Sequence, residues 1–127
     1  MDRLLKQLLY NSPDAILISD QEGIIHFWNS GAEQIFDYTA AEVEGQSLDL
    51  IIPEDLRGHH WEGYWRMMAS GETKYKTGLL SAPGVRKNGT SVLLELSIVL
   101  VHDESRGVKG GLSIMRDVTE RSKKVTD

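Results

Sequence analysis

Two adjacent histidines, His59 and His60, are the side chains of this sequence best suited to bind a metal ion or a cofactor. They lie in a segment, residues 54–70, whose length and terminal Ser-Gly pair are typical of a helix. At about 100° per residue, His60 shares an apolar stripe with Tyr64 and Met67, whereas His59 falls on the polar side. We therefore expect His60 to point into the protein and His59 to face solvent. A neutral imidazole in an apolar cavity is a good axial ligand for haem iron, although a lone buried histidine more commonly bonds to a backbone carbonyl.

The rest of the composition argues against most catalytic and surface-binding chemistry. The 127 residues include no cysteine, which rules out disulfides, thiolate ligands and thiol nucleophiles. The sequence contains no Gly-rich phosphate loop, no His-Glu-x-x-His zinc pattern and no Gly-x-Ser-x-Gly elbow. Acidic residues cluster near predicted helix ends, where helix capping explains them. A net charge of −5 argues against a nucleic-acid partner. We predict a protein without an active site.

Length and hydropathy predict one soluble domain in the cytoplasm. A chain of 127 residues is long enough for a single hydrophobic core. No apolar run approaches the roughly 20 residues that a membrane span needs, and the N-terminus lacks the apolar stretch and cleavage site of a secretory signal. The absence of cysteine fits a reducing compartment.

Turn and capping signals divide the chain into a helix, two strands, a helical block and three strands. Leucines at helical spacing predict an N-terminal amphipathic helix over residues 2–10. Capping-box spacing predicts short helices at Ser30 and at Thr39. Asn29, just before the first of them, is expected to be a helix N-cap or to hold the end of the hairpin by a hydrogen bond. Five β-prone runs lie at residues 15–19, 24–28, 73–82, 91–101 and 108–118. Segments that contain glycine join the first two runs, and also the last three, as hairpins. Hairpins on both sides of a helical block imply an α+β fold, with one five-stranded antiparallel sheet and the short helices packed over one face. Such a layout leaves room for a cavity between the layers.

In this order, the landmarks of the chain resemble the PAS (Per-ARNT-Sim) family of sensor modules over nearly its whole length. The similarity rests on Asp20-x-x-Gly23-x-Ile25 and the following Asn29, the stretch 36–45, Ile51-Ile52-Pro53, Arg86-Lys87-Asn88-Gly89-Thr90 and the ending 116–121. The resemblance implies a PAS-like sensory domain over residues 13–120, with a cap helix at 1–12 before it. Residues 121–127 would then begin a linker helix to an effector. The family implies a domain that binds a small molecule or a partner and passes strain through its sheet to that helix.

The third predicted helix also resembles that of the FixL-type oxygen sensors, a haem-binding branch of the family. A gap-free count back from residues 69–72 places their proximal haem ligand on His60, which implies haem b for gas or redox sensing. Their distal arginine falls on Leu80, whose side chain cannot donate a hydrogen bond. We therefore expect an apolar distal pocket that favours carbon monoxide, nitric oxide or redox sensing over stable oxygen binding. The cofactor-binding residues expected on this interpretation are His60, Tyr64, Met67, Leu79, Leu80, Leu112 and Ile114.

A second hypothesis is an interaction and dimerisation module whose pocket is empty or holds another ligand. The absence of cysteine excludes the covalent photochemistry of light-oxygen-voltage domains, but a flavin could still stack on Trp28 or Trp61. A fatty acid or a small carboxylate could be anchored by His60 or Arg57.

The two ends of the chain supply candidates for signal output and assembly. Asp117 and Thr119 lie where the last predicted strand ends, and PAS proteins commonly use such a pair to direct the departing helix. Short polar side chains at such a junction can cap a helix or bond the exiting backbone, with ordinary capping as the alternative role. The resemblance implies an effector such as a histidine kinase of a two-component system, a cyclase or a similar domain.

The apolar face of the N-terminal helix predicts a docking surface. It consists of Leu4, Leu5, Leu8 and Leu9. Such a face would pack on the sheet or on a second subunit, so we expect a homodimer with isologous two-fold contacts.

Overall fold

The computed structural model describes residues 2–72, 79–104 and 107–120. Its helices are α1 (Arg3–Asn11), α2 (Ser30–Phe36), α3 (Ala40–Val43) and α4 (Arg57–Ser70), and 3-10 turns cover Leu48–Ile51 and Glu54–Leu56. The strands are β1 (Ala15–Asp20), β2 (Ile25–Trp28), β3 (Leu80–Val85), β4 (Ser91–His102) and β5 (Val108–Asp117). Within the described ranges, no helix is long and apolar enough to cross a membrane. The predicted linker helix at 121–127 lies outside the described residues.

All five strands join one antiparallel sheet in the order β2-β1-β5-β4-β3. The first and last strands of the chain are therefore neighbours at the centre of the sheet, and the two hairpins flank them. The predicted α+β fold is confirmed. The third strand was predicted to begin at Thr73; residues 73–78 lie outside the described residues, and the observed strand runs from Leu80 past Ala82 to Val85. It is an edge strand, which explains why it accommodates Pro83, a residue that cannot donate to a central ladder.

One face of the sheet packs against the helices and forms the core. Trp28 and Phe36 are almost fully buried and lie with ring centroids 5.4 Å apart. Paired residues of an antiparallel sheet share a face. Leu96 of β4 pairs with Met115 of β5, so both lie on the buried face of the sheet. Both of these side chains belong to the buried cluster. Burying each large apolar side chain contributes roughly 1.5–3 kcal/mol, so this face supplies most of the driving force for folding.

The helix ends mostly follow the capping signals. Thr39 and Glu42 form the predicted capping box at the start of α3. Gly71 ends α4 in the left-handed conformation, as the Ser-Gly pair predicts. Helix α2 begins at Ser30, and its N-cap is Asn29, as expected, so the capping box of Ser30 does not form. The carboxylate of Glu33, expected to complete a box with Ser30, instead accepts a hydrogen bond from the backbone N–H of Ala40 at 2.8 Å.

The N-terminal helix α1 lies at the surface, with its apolar face largely uncovered. Its N-cap is Asp2, whose carboxylate accepts a hydrogen bond from the N–H of Leu4 at 3.0 Å. Leu4 and Leu8 remain 62% and 63% exposed. At the other end of the helix, the carbonyl of Leu9 accepts a hydrogen bond from the side chain of Asn29 at 2.9 Å. Helix α1 is thus tied to the domain by its last turn.

Candidate ligand site

Helix α4 places His60 on its inner side and His59 on its outer side. His59 is exposed, whereas His60 is partly buried and the neighbouring turn brings Tyr64 to 6% exposure. The imidazole of His60 packs against two aromatic rings, with its centroid 4.7 Å from that of Trp61 and 5.7 Å from that of Tyr64. Its Nδ1 atom is buried and has no hydrogen-bond partner among the described residues. Buried polar atoms are almost always paired, so this nitrogen departs from the usual pattern.

Hydrogen bonds hold the aromatic neighbours of His60 in place. The hydroxyl of Tyr64 donates to the backbone carbonyl of Asp20 and lies 3.0 Å from the hydroxyl oxygen of Ser19. The indole N–H of Trp61 donates to the carboxylate of Asp49 at 2.7 Å. Helix α4 is therefore held by hydrogen bonds to β1 and to the 3-10 turn Leu48–Ile51.

Trp61 also packs over the β1–β2 turn. Gly23 occupies that turn with φ +79°, and a Cβ atom added to it would overlap the indole ring of Trp61. The ring of Trp61 stacks on that of Trp65, with centroids 5.1 Å apart. The turn, the indole and α4 thus form one packed unit beside His60.

Burial decides the charge state of His60. It lowers the pKa of the imidazole below its ordinary value of 6.5, an effect that the carboxylate of Asp49 opposes and the neighbouring His59 reinforces. The side chain is therefore neutral near pH 7, which is the form that coordinates a metal ion. Burial likewise raises the pKa of Tyr64, so its hydroxyl keeps the proton that it donates.

This depressed pKa predicts a loss of stability in mild acid. As the pH falls below 6.5, the unfolded chain takes up a proton at residue 60 before the folded protein does, so the free energy of unfolding decreases. Replacing His60 with Gln should reduce this pH dependence in urea titrations between pH 7.5 and 5.5. The matched variant His59→Gln, at an exposed position, should retain most of the wild-type dependence, because burial of His60, the larger cause, is unchanged. Equal slopes for wild type and His60→Gln would contradict the prediction.

The structure brings only some of the predicted lining residues towards the core on the His60 side. Met67 is partly buried on α4 and packs against the core cluster. Leu80 also packs against that cluster, opposite Leu96 on β4. Leu79, one residue earlier, is 65% exposed and points away from the core.

The expected positions of Leu112 and Ile114 are corrected by the strand register. Met115 faces the core, so side chains two and four residues earlier face it too, and those at 112 and 114 face the opposite side. Leu112 pairs with Val99, which is 56% exposed, and Ile114 is itself 36% exposed. The inward positions belong to Gly111 and Ser113. Alternation counted back from the buried Met115 would have found them.

The end of β5 is a hydrogen-bonded junction built around Asp117 and Thr119. One carboxylate oxygen of Asp117 accepts hydrogen bonds from the N–H and the hydroxyl of Thr119, at 2.9 and 2.6 Å. The Thr119 hydroxyl oxygen in turn accepts from the N–H of Leu93 on β4, at 3.0 Å. Burial tends to raise the pKa of Asp117, but the bonds from Thr119 and the charge of Arg86 outweigh it and lower that pKa.

Arg86 is the member of this junction that the sequence alone did not single out as functional. Its guanidinium donates to the second carboxylate oxygen of Asp117 at 3.1 Å. It also donates to the carbonyl of Ile35 near the end of α2 at 3.2 Å, and to that of Ser91 on β4 at 2.7 Å. Arg86 therefore connects the helical layer to the point where the chain leaves the sheet. The sequence offered no signal for it beyond its place beside the Asn-Gly turn.

Two surface depressions lie away from His60. One of about 310 Å³ is lined by Phe27 and by one side of α1. The other, of about 220 Å³, lies at the β1–β2 turn beside Lys109. Neither has His60 in its lining.

Comparisons with known proteins agree with this architecture. A family model described as a PAS domain matches residues 13–120. The chain is 29% identical to the sensor protein FixL of Bradyrhizobium diazoefficiens over 117 residues, which are 91% of this chain and 23% of that protein. It is 26% identical to the oxygen sensor protein DosP of Escherichia coli over 109 residues, which are 86% of this chain and 13% of that protein. The chain thus spans less than a quarter of the length of these curated relatives. Among solved structures, the PAS domain of a protein from Colwellia psychrerythraea matches with a TM-score of 0.77 at 24% identity, covering 93% of this chain and 99% of that one.

Proposed function

This chain belongs to the PAS domain family, and on that premise we propose that it is a sensory module that binds haem b through His60 and relays the state of its pocket to a C-terminal effector such as a histidine kinase. The observation that carries the proposal is the inward position of the partly buried His60 imidazole on α4, which burial keeps neutral. The similarity to two proteins named as sensors, one of them an oxygen sensor, supports it.

The side chains around His60 fit such a cofactor. Its imidazole is neutral because burial lowers its pKa, and the neutral ring is the form that coordinates a metal ion. Tyr64 and Met67 on α4, together with Leu80 on β3, would line the same space. Bound there, haem would supply an iron centre that takes up small gases or changes its oxidation state. The protein's own part is to present the imidazole and to exclude water from it.

Reconstitution with hemin tests the proposal directly. The wild-type protein should develop a sharp Soret band, and His60→Ala should lose it because the axial ligand is gone. The matched variant His59→Ala should keep the band, since this side chain faces solvent. A wild-type spectrum without the band, or a band that survives in His60→Ala, would show that His60 does not hold haem.

For signal output, we propose that the junction of Asp117, Thr119 and Arg86 sets the direction in which the chain leaves the sheet. Arg86 bonds to Ile35 of α2 and to Asp117, and Thr119 bonds to Leu93 of β4. A shift of α2 or β4 would therefore move the end of β5, where the chain leaves the sheet. Hydrogen exchange at the amide of Thr119, bonded to Asp117 at 2.9 Å, should then differ between the haem-free and haem-loaded protein. Identical protection in both forms would contradict a relay at this position.

We also propose that the domain forms a homodimer, an assembly that the second hypothesis, an interaction module, requires as well. The uncovered apolar face of α1 comprises Leu4, Leu5 and Leu8, with exposures of 62, 47 and 63%. The outer face of the sheet adds Val99 and Ile114, at 56 and 36%. Exposed groups of apolar side chains are typical of an interface. If the pocket is empty, or holds a flavin, a fatty acid or a carboxylate, this surface would be the functional part of the module.

Substitution on α1 should break the dimer. Leu8→Glu places a charge in the apolar face, and we expect the molar mass measured by light scattering to fall from two chains to one. Gln7→Glu adds the same charge to the same helix outside the leucine face and should leave the dimer intact. A wild-type protein with the mass of one chain would refute the dimer outright.

A further inference from the structure

We propose that helix α4 is a lid that unfolds locally while the sheet stays folded, and that the hydroxyl of Tyr64 is the latch that keeps this lid closed. The rings of Tyr64 and His60 pack together, with centroids 5.7 Å apart, so opening of the lid would also uncover the imidazole of His60. The inference concerns access to the inner side of α4 and not the identity of a ligand, so it does not depend on the binding of haem.

Helix α4 is weakly attached to the domain for an element of its length. Tyr64 is buried, at 6% exposure, whereas every other residue of Arg57–Ser70 is partly or fully exposed. Trp61, Met67 and Met68 pack against the core but are only partly buried. Segments with few buried apolar contacts open at a lower free energy than the core of a protein. We therefore expect α4 to open before the sheet does.

Two glycines inside α4 lower the stability of the helix itself. Glycine is among the residues that least favour a helix interior. Gly58 and Gly63 have nothing within 4 Å of an added Cβ atom, so no close contact requires a glycine at either position. The N-cap residue, Leu56, makes no side-chain hydrogen bond to the start of the helix. The helix therefore depends on its contacts with the rest of the domain.

The hydroxyl of Tyr64 supplies the hydrogen bonds between α4 and the sheet. It donates to the backbone carbonyl of Asp20 and lies 3.0 Å from the hydroxyl oxygen of Ser19. In the part of the chain that the structure describes, no other side chain of α4 makes a hydrogen bond to a strand. The carbonyl of Asp20 is itself fixed within the β1–β2 turn, because it also accepts from the N–H of Gly23 at 3.0 Å. Loss of the Tyr64 hydroxyl would thus leave α4 without a hydrogen bond to the sheet.

The other side-chain attachments of α4 lie near its start. The guanidinium of Arg57 donates to the carbonyls of Ile52 and Asp49, at 3.1 and 3.2 Å. The indole of Trp61 donates to the carboxylate of Asp49 at 2.7 Å. These acceptors belong to the segment between α3 and α4, outside the sheet. They can hold the start of the helix while the turns from Tyr64 onwards leave the sheet.

Thiol labelling measures how often the lid opens. Because the chain contains no cysteine, Ser19→Cys introduces a single thiol next to Tyr64, at a position that is 3% exposed, and leaves the carbonyl of Asp20 to accept from the tyrosine. The rate of its reaction with a thiol reagent reports the fraction of molecules in which α4 is open. In this background, Tyr64→Phe should speed labelling about fivefold, since it removes the hydroxyl and keeps the ring. Gly63→Ala should slow labelling about fivefold, since alanine stabilises the helix.

Thr39→Ala is the control for unfolding of the whole domain. It removes the capping hydroxyl of α3 and lowers the stability of the domain, but it leaves the contacts of α4 in place. The labelling rate should therefore stay at that of the Ser19→Cys parent. Equal acceleration in Thr39→Ala and Tyr64→Phe would show that the thiol reacts only after global unfolding, and the lid would be overturned.

The other two variants test the parts of the proposal separately. Labelling at the parent rate in Tyr64→Phe would show that the hydroxyl is not the latch. A rate that Gly63→Ala leaves unchanged would overturn the local unfolding of the helix. None of these measurements requires hemin, so their outcome is independent of the Soret test of the proposed function.

Discussion

Replacing Asn29 with aspartate is expected to lower the free energy of unfolding by roughly 3–5 kcal/mol. Asn29 is completely buried. Its side-chain oxygen accepts hydrogen bonds from the N–H groups of Ile16 and Ala32, at 2.8 and 2.9 Å. Its amide nitrogen donates to the carbonyls of Leu9 and Asp14, at 2.9 and 3.0 Å. An aspartate keeps the acceptor, but it turns a second oxygen towards those carbonyls and buries a charge without a counterion.

Urea denaturation of Asn29→Asp measures this effect, with Asn11→Asp as the control. Asn11 lies on the exposed end of α1, so the same chemical change there should cost little. Because Asn29 holds the carbonyl of Leu9, its replacement should also speed amide exchange in α1. A loss of stability no larger than that of Asn11→Asp would show that the buried amide contributes little to folding.

The second large effect is expected at Gly23, where alanine should cost about 2–5 kcal/mol. Two penalties add here: φ is +79°, which is unfavourable for any residue with a Cβ, and that Cβ would overlap the ring of Trp61. The indole must then move, which weakens its hydrogen bond to Asp49. The damage should therefore reach helix α4 and the surroundings of His60.

Gly89→Ala separates the two penalties. Gly89 has φ +89° but nothing within 4 Å of an added Cβ, so alanine there should cost only the backbone strain, about 1–2 kcal/mol. The excess loss in Gly23→Ala, measured by urea denaturation, then reports the contact with Trp61. Tryptophan fluorescence should shift in Gly23→Ala and stay constant in Gly89→Ala. Equal losses and unchanged fluorescence in both variants would contradict the steric argument.

The sheet and most helices could be predicted because their signals are local. Asn-Gly and Asp-containing turns mark the hairpins, Thr39 and Glu42 mark a helix start, and Gly71 marks a helix end. The capping box expected at Ser30 does not form, because the N-cap of α2 is Asn29. That side chain is fixed by bonds to β1 and α1, which no local pattern reveals.

The site was only half predictable, for a similar reason. Helical periodicity was enough to point His60 inwards and His59 outwards. Choosing the inward residues of β5 required knowing which face met the core, and the aliphatic character of Leu112 and Ile114 favoured the wrong pair. Apolar residues can stand on an outer face that α1 or a partner covers. Arg86 was missed because its acceptors, Ile35 and Asp117, are distant in sequence.

The central pairing of β1 with β5 has a consequence for any segment attached to either end of the domain. Ala15, at the start of β1, pairs with Met115 near the end of β5, and next to them Asp14 forms an ion pair with Arg116 at 3.3 Å. The chain thus enters and leaves the sheet at nearly the same point. A module of this kind can be inserted into a tandem array without separating its neighbours. A rotation between those two crossing points would change the orientation of the flanking segments while leaving their separation almost constant.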